Sequence, residues 1–304
     1  MALHDAAIIG GGPAGLSAAA TLARQLHTAV VFDSKVYRNA RSYHMHMVPG
    51  WENRDPEEFR AIAKQDDLTN YSTIRFADVG VEKIEKKTDS HFLVSDVSGT
   101  VWGFRKVILA LGSENVFPSI EGYEQLWPEK MIAERPQLVS FAVPPLVIPA
   151  MAILMAMDAA QLADEVTLYT HGNDELAQQL ESISSTKFHV ESCAIKRLVG
   201  NAASNAVTVE FADGSSKEEQ FLAHNPQTKV QGSFVAQLGI TLTQMGDIQA
   251  DAPMHQTSAR GVFAAGDCIT PYKVVPGAIS SGCNAAVAAS AQLDSEEYGQ
   301  QPLF

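Results

Sequence analysis

Gly10, Gly12 and Gly15 form a G-x-G-x-x-G pattern between the apolar run Ala6–Ile9 and an alanine-rich stretch that begins at Pro13. Glycine at the first position permits a tight turn. At the second it lets a backbone approach a pyrophosphate, and at the third it lets a helix pack close to a strand. The first turn of such a helix offers free N–H groups and a partial positive charge to an anion. A second apolar run ends at Asp33, 18 residues after Gly15, where a carboxylate can accept hydrogen bonds from a ribose. This spacing predicts a dinucleotide site, with Pro13, Ala14 and Ser34 beside the glycines and Asp33. The pattern alone leaves NAD and FAD open.

The other reactive side chains are scattered. The three cysteines, Cys193, Cys268 and Cys283, are an odd number and include no Cys-x-x-Cys, which predicts a reducing, cytoplasmic setting rather than a disulfide framework. Glu134, in the plain stretch Glu134-Arg135-Pro136-Gln137, becomes a candidate base if burial raises its pKa. His44, Tyr272 and Lys273 are further catalytic candidates, each with a bland reading as a surface or packing residue. Cys268 reads as a small buried residue, and His224 as part of a hinge. No metal-ligand spacing is evident.

The elements that must hold these residues follow from periodicity. "DAAIIGGGPAGLSAAATLARQLHTAVVFD" reads as strand, glycine turn, helix and strand, a βαβ unit of a parallel sheet. Asp55-Pro56-Glu57-Glu58 has the chemistry of a helix start. The alternating stretch from Val79 to Gly112 predicts a β-meander that returns to the parallel sheet at Val107–Leu111. "EVTLYT", "NDELAQQLESI" and "NAVTVEFADGSSKEEQFLA" predict a second α/β region, and "GVFAAGDC" with "GAISSGCNAAVAASAQL" a last strand and a small-residue helix. The 304 residues, 46% of them hydrophobic, suffice for two domains. A net charge of −13 disfavours nucleic acid and anionic membranes as partners. The uncharged segment 141–157 contains Pro144, Pro145 and Pro149 and is too short for a membrane span.

The late strand ending in Gly266-Asp267 resembles the two-dinucleotide-domain flavoproteins of the thioredoxin reductase group. "YRNA…HMH", "IEGYEQLW", "ADEVTLYTHG", "FLAHNPQT" and "GDIQAD" narrow the resemblance to a fungal branch containing the gliotoxin oxidase-like dithiol oxidases. The resemblance implies an α/β fold of two Rossmann-like domains, an FAD domain at 1–117 and 244–304 and an inserted NADPH-domain-like region at 118–243. It also implies that Gly266 and Asp267 meet the ribityl and pyrophosphate of FAD, that Val275 offers its N–H to the pyrimidine edge, and that Arg38, Asn39 and His46 lie along the cofactor. Val81, Ala110 and Gly112 complete the cofactor candidates.

Two departures set this chain apart from that group. Between Phe117 and Thr243 no two glycines are spaced G-x-G, and His171, Gly172, Asn173, Asp174 and Glu175 follow "EVTLYT" where a basic cluster would receive a 2′-phosphate. Counting from Gly122, the position of the relatives' Cys-x-x-Cys falls on Glu134–Gln137. The resulting expectation is an FAD-dependent oxidoreductase acting directly on a small organic substrate, a fungal secondary-metabolite intermediate, with O2 reoxidising the flavin. It would have neither a redox disulfide nor an NADPH site, and it would be a homodimer. The alternatives are a non-redox FAD enzyme (isomerase, elimination or cyclisation) and a non-catalytic flavin-binding protein.

Overall fold

The glycine pattern folds as predicted: β1 (His4–Ile9), a turn, α1 (Pro13–Arg24) and β2 (Ala29–Phe32) form a βαβ unit with β1 and β2 parallel. This computed structural model describes residues 3–127, 139–141, 149–161, 163–183, 185–202, 204 and 206–301. Next come α2 (Pro56–Asn70), β3 (Ile74–Ala77), β4 (Val81–Thr88), β5 (His91–Asp96), β6 (Val101–Leu109) and β7 (Ser113–Val116). The middle of the chain contributes α3 (Tyr123–Leu126), β8 (Val139–Phe141), α4 (Pro149–Ala159), β9 (Val166–Tyr169), α5 (Asp174–Leu180) and β10 (Phe188–Glu191). It continues through β11 (Ile195–Gly200), β12 (Val207–Phe211), β13 (Ser216–Glu219) and β14 (Leu222–Ala223). The last elements are β15 (Gln227–Val230), α6 (Phe234–Leu238), β16 (Ala250–Asp251), β17 (Gln256–Thr257), β18 (Val262–Ala264) and α7 (Val275–Glu297).

The chain divides into two compact units, one of Met1–Asn115 with Thr228–Phe304 and one of Val116–Gln227. The sequence pattern places the insertion at 118–243. Residues 228–243 instead cluster with the first unit, because Phe234, Leu238 and Ile240 bury themselves among Ile84, Phe92 and Val94 of the meander. The sheet of the first unit runs β16-β17-β18-β6-β1-β2-β3, with the meander β4-β5 joining at β6. β6 has two jobs. Its first half pairs antiparallel with β5, and Val107–Leu109 pair parallel with β1 and β18. One face of the sheet carries an alanine-rich layer from α1 and α7, including Ala14, Ala18, Ala285 and Ala289. Small side chains let those two helices lie close: a Cβ built on Gly282 would stand 2.2 Å from the carbonyl oxygen of Ala14. His27 and Ser290 hydrogen bond at 2.8 Å across the same pair of chain ends.

In the second unit β10, β9, β8 and β14 form a parallel sheet, and β11, β12 and β13 an antiparallel one. Tyr169 and Tyr123 are buried there, donating to Glu219 at 2.5 Å and facing His224 respectively. Burial lowers the His224 pKa to about 4, so its ring is neutral at physiological pH. No helix among the described residues is long and apolar enough to cross a membrane.

α2 begins as the sequence predicts. The Asp55 carboxylate accepts from the Glu57 backbone N–H at 2.6 Å, and Pro56 occupies the first helical position. It ends less favourably. Asp67 is 4% exposed in the last turn, one of its carboxylate oxygens has no partner, and burial with Asp66 beside it raises its pKa to about 6. A carboxylate there also faces the negative end of the helix dipole. Because the folded pKa lies above the unfolded value of 3.8, folding binds a proton, and this group's contribution to stability grows as pH falls from about 6 towards 3.8. Asp67→Asn should therefore raise stability at pH 7.5 by about 1–2 kcal/mol and have little effect near pH 4. Thermal melts across that range check it, and an equal gain at both pH values would refute the assignment.

Candidate functional site

A cleft of about 280 Å3 opens at the carboxyl ends of β1, β2 and β18, where parallel sheets of this kind receive ligands. Gly10, Gly12, Pro13 and Ala14 line its floor. Gly10 has φ +119, and a Cβ there would stand 2.2 Å from the Ala110 carbonyl oxygen, so the turn requires glycine. Gly15 packs behind the cleft, its virtual Cβ 1.9 Å from the Gly10 carbonyl oxygen, which closes helix on strand. Gly12 caps α1 without any side-chain bond, and a Cβ there would meet nothing within 4 Å. The helix thus turns its unpaired first N–H groups toward open space.

Asp33 and Ser34 line the next wall. The Asp33 carboxylate is buried and already held: Oδ1 accepts from the Lys35 backbone N–H at 2.9 Å, and Oδ2 from Lys35 Nζ at 2.8 Å and Tyr37 Oη at 2.6 Å. Burial works against the Lys35 charge, but its hydrogen bonds to Asp33 and Asp78 outweigh that and raise its pKa. Burial and the Asp33 charge also raise the Tyr37 pKa, so the phenol stays protonated and donating. Arg38 and Asn39 line the cleft, with Arg38 Nε donating to Asp267 Oδ2 at 2.9 Å and its Nη2 to the Lys273 carbonyl at 3.1 Å. Val81, Ala110, Gly112, Gly266, Asp267 and Val275 complete the predicted set within the lining. Gly266 has φ +80, its virtual Cβ stands 2.9 Å from the Ala14 Cβ, and its N–H donates to Ser281 Oγ at 2.9 Å.

Several candidates lie elsewhere. His46 is outside the lining; its Nδ1 meets Glu52 Oε1 at 2.5 Å, and Glu52 also takes the Met47 N–H. His44 is exposed and outside the lining. Tyr272 is 76% exposed, turned outward by a loop in which its N–H donates to Thr270 Oγ1. Lys273 does line the cleft, but its ammonium is spent on Asp247 Oδ1 at 2.9 Å and the carbonyls of Asp267 and Thr270 at 2.6 and 2.5 Å. That makes it a brace for the 267–273 loop. Glu134 lies outside the described residues. Gly11, Tyr37 and Gln231 were missed. Gly11 sits against Asp33, its virtual Cβ 2.3 Å from the carboxyl carbon, and its place in the middle of "GGG" is its one sequence signal. Gln231, with Gly232 and Phe234, reaches the lining from a stretch that sequence reasoning had given to the insertion.

The chain belongs to the pyridine nucleotide-disulphide oxidoreductase family, whose model matches residues 4–289. It is a thioredoxin reductase-like FAD oxidoreductase of the fungal branch. It is 40% identical over 313 residues to thioredoxin reductase tcpT of Claviceps purpurea, covering 99% of this chain and 97% of that protein. With thioredoxin reductase aclD of Aspergillus oryzae it shares 38% identity over 97% of this chain and 98% of that one. Among solved structures, the oxidoreductase from Agrobacterium tumefaciens superposes with a TM-score of 0.84 at 26% identity, covering 98% of this chain and all of that one. The cleft's glycine turn, open helix N-terminus and carboxylate at the end of β2 fit the FAD this family binds.

Proposed function

We propose that the protein passes electrons from a small organic substrate directly to FAD, with no redox disulfide and no NADPH, and that O2 is the final acceptor. Placement of the cysteines supports this reading best. Cys268 is fully buried, its Sγ directed at the carbonyls of Leu109 and Ala265, and burial pushes its thiol up to about 12. Cys283 lies on α7 and Cys193 in the second unit, so no thiol has a vicinal partner. Dithiol exchange needs a thiolate beside a second sulfur. The three thiols therefore offer no pair for the dithiol chemistry of a thioredoxin reductase.

The second unit supports the absence of NADPH. After β9 the chain turns through His171 into α5, whose N-cap Asn173 accepts from the Leu176 N–H at 2.9 Å. Asp174 and Glu175 fill the first turn, two negative charges where a 2′-phosphate would need cations. In the first unit, the N–H groups of α1 would hold the pyrophosphate and Asp267, fixed by Arg38, the ribityl side. The N-terminus of α7 at Val275 would favour negative charge at the flavin's pyrimidine end. Bound FAD supplies a two-electron acceptor for substrate hydride. A fungal secondary-metabolite intermediate fits the company of the chain's relatives, and a homodimer fits the likeness to the thioredoxin reductase group.

The test is spectroscopic. Purified protein should carry FAD, and anaerobic NADPH should leave its visible flavin band unchanged, whereas an oxidisable substrate should bleach the band and air should restore it. Rapid stoichiometric bleaching by NADPH alone would overturn the reading.

A further inference from the structure

Arg60, on α2, is 8% exposed, and among the described residues it forms no ion pair. A guanidinium buried without a carboxylate carries a desolvation cost that packing alone does not require. Its hydrogen bond and its ring contact both lead to the cleft. Its Nη1 donates to Asn39 Oδ1 at 3.1 Å, and its Cζ lies 4.1 Å from the centroid of the Tyr37 ring. Tyr37 passes the constraint on by donating to Asp33 Oδ2 at 2.6 Å. Tyr37, Asn39 and Asp33 line the cleft, and Arg60 stands behind them. Asp33 directly follows β2, the corner of such a fold that receives a ribose, and shares the cleft with Asp267.

We propose that Arg60 is a positioning residue for the adenosine half of the cofactor, acting through a latch of Tyr37 and Asn39 that aims the Asp33 carboxylate. This rests on the FAD reading of the cleft. The latch makes the site select a full dinucleotide over a flavin mononucleotide, since the mononucleotide never reaches it. A planar cation does two things here that lysine cannot: it stacks on the phenol and donates sideways to the amide. Because Tyr37 remains protonated, the latch holds across physiological pH.

The experiment uses the full chain stripped of flavin, with Tyr37→Phe and Arg60→Lys, and measures binding of FAD and of FMN by quenching of flavin fluorescence. Both variants should bind FAD about tenfold more weakly while their FMN affinity stays within about twofold of wild type. A purely structural role would move both flavins together. Equal loss for FAD and FMN, or unchanged FAD affinity in variants of a wild type that does bind FAD, overturns the latch and leaves the cofactor reading intact. Failure of the wild type to take up FAD overturns both. If Arg60→Lys does not fold by circular dichroism, Tyr37→Phe, which removes only a hydroxyl, decides alone.

Discussion

Gly282→Ala should cost about 3 kcal/mol, lower the melting temperature by roughly 6–12 °C and strip the protein of most of its flavin. The added methyl would stand 2.2 Å from the carbonyl oxygen of Ala14 and within 3.0 Å of its carbonyl carbon and Cα. All three are backbone atoms, so no side chain can rotate away. Relief requires α1 and α7 to separate, and both bring their N-termini to the same cleft. Opening that contact would also release Gly266, whose turn is wedged against Ala14 and held by Ser281. Differential scanning calorimetry and the flavin-to-protein absorbance ratio check the prediction together. Wild-type melting with full flavin content would show that the helices slide past each other freely.

Glu296→Ala should destabilise the protein by about 3–5 kcal/mol at neutral pH, because it leaves a buried cation alone. Lys106 is 0% exposed; its ammonium meets the Glu296 carboxylate, with only a long 3.4 Å contact to the Asp89 carbonyl besides. Burial already depresses the Lys106 pKa in spite of Glu296, and Arg105 and Arg260 add to the depression. A lysine whose folded pKa lies below its unfolded one binds its proton less tightly when folded. Its penalty is therefore present below the folded pKa and fades as pH rises toward the unfolded value of 10.5. Without Glu296 the depression deepens, so the variant should regain part of the lost stability above pH 9. Paired replacement, Lys106→Met with Glu296→Leu, should restore most of it at pH 7. Urea titrations of the single and double variants at both pH values check this. A single variant as stable as wild type would mean that the pair contributes nothing.

The FAD half of the fold was legible because its signals are local. Gly15 lets α1 pack on the Gly10 turn and Gly12 leaves the start of α1 open, both within their own βαβ unit, and Asp55-Pro56 sets the start of α2 through bonds to its immediate neighbours; Gly10 answers to the more distant Ala110 carbonyl. What sequence could not reveal depends on distant partners. Lys273 looked reactive because nothing nearby in sequence predicts that Asp247 and two carbonyls will occupy its ammonium. His46 looked like a cofactor contact until a left-handed turn at Met47 brought Glu52 onto its ring. Gln231–Phe234 carry no motif at all; burial of Phe234 among meander residues from elsewhere in the chain brings them to the cleft. Arg60 and Tyr37 fall in this class too, joined across 23 positions by a stacking geometry that no spacing rule encodes.

α7 packs along α1 although the two are separated by most of the chain, and the 2.8 Å bond between His27 and Ser290 bridges 263 positions. During synthesis the glycine turn leaves the ribosome long before α7 and must wait, its alanine face uncovered, until that helix has been translated. The intervening unit of 116–227 is free to fold in that interval. Completion of the cofactor fold is then a late, long-range closure of the kind that high contact order makes slow. A nascent chain stalled before residue 275 would present an apolar, flavin-incompetent surface to chaperones, so cellular yield should respond to how quickly the codons of α7 are read.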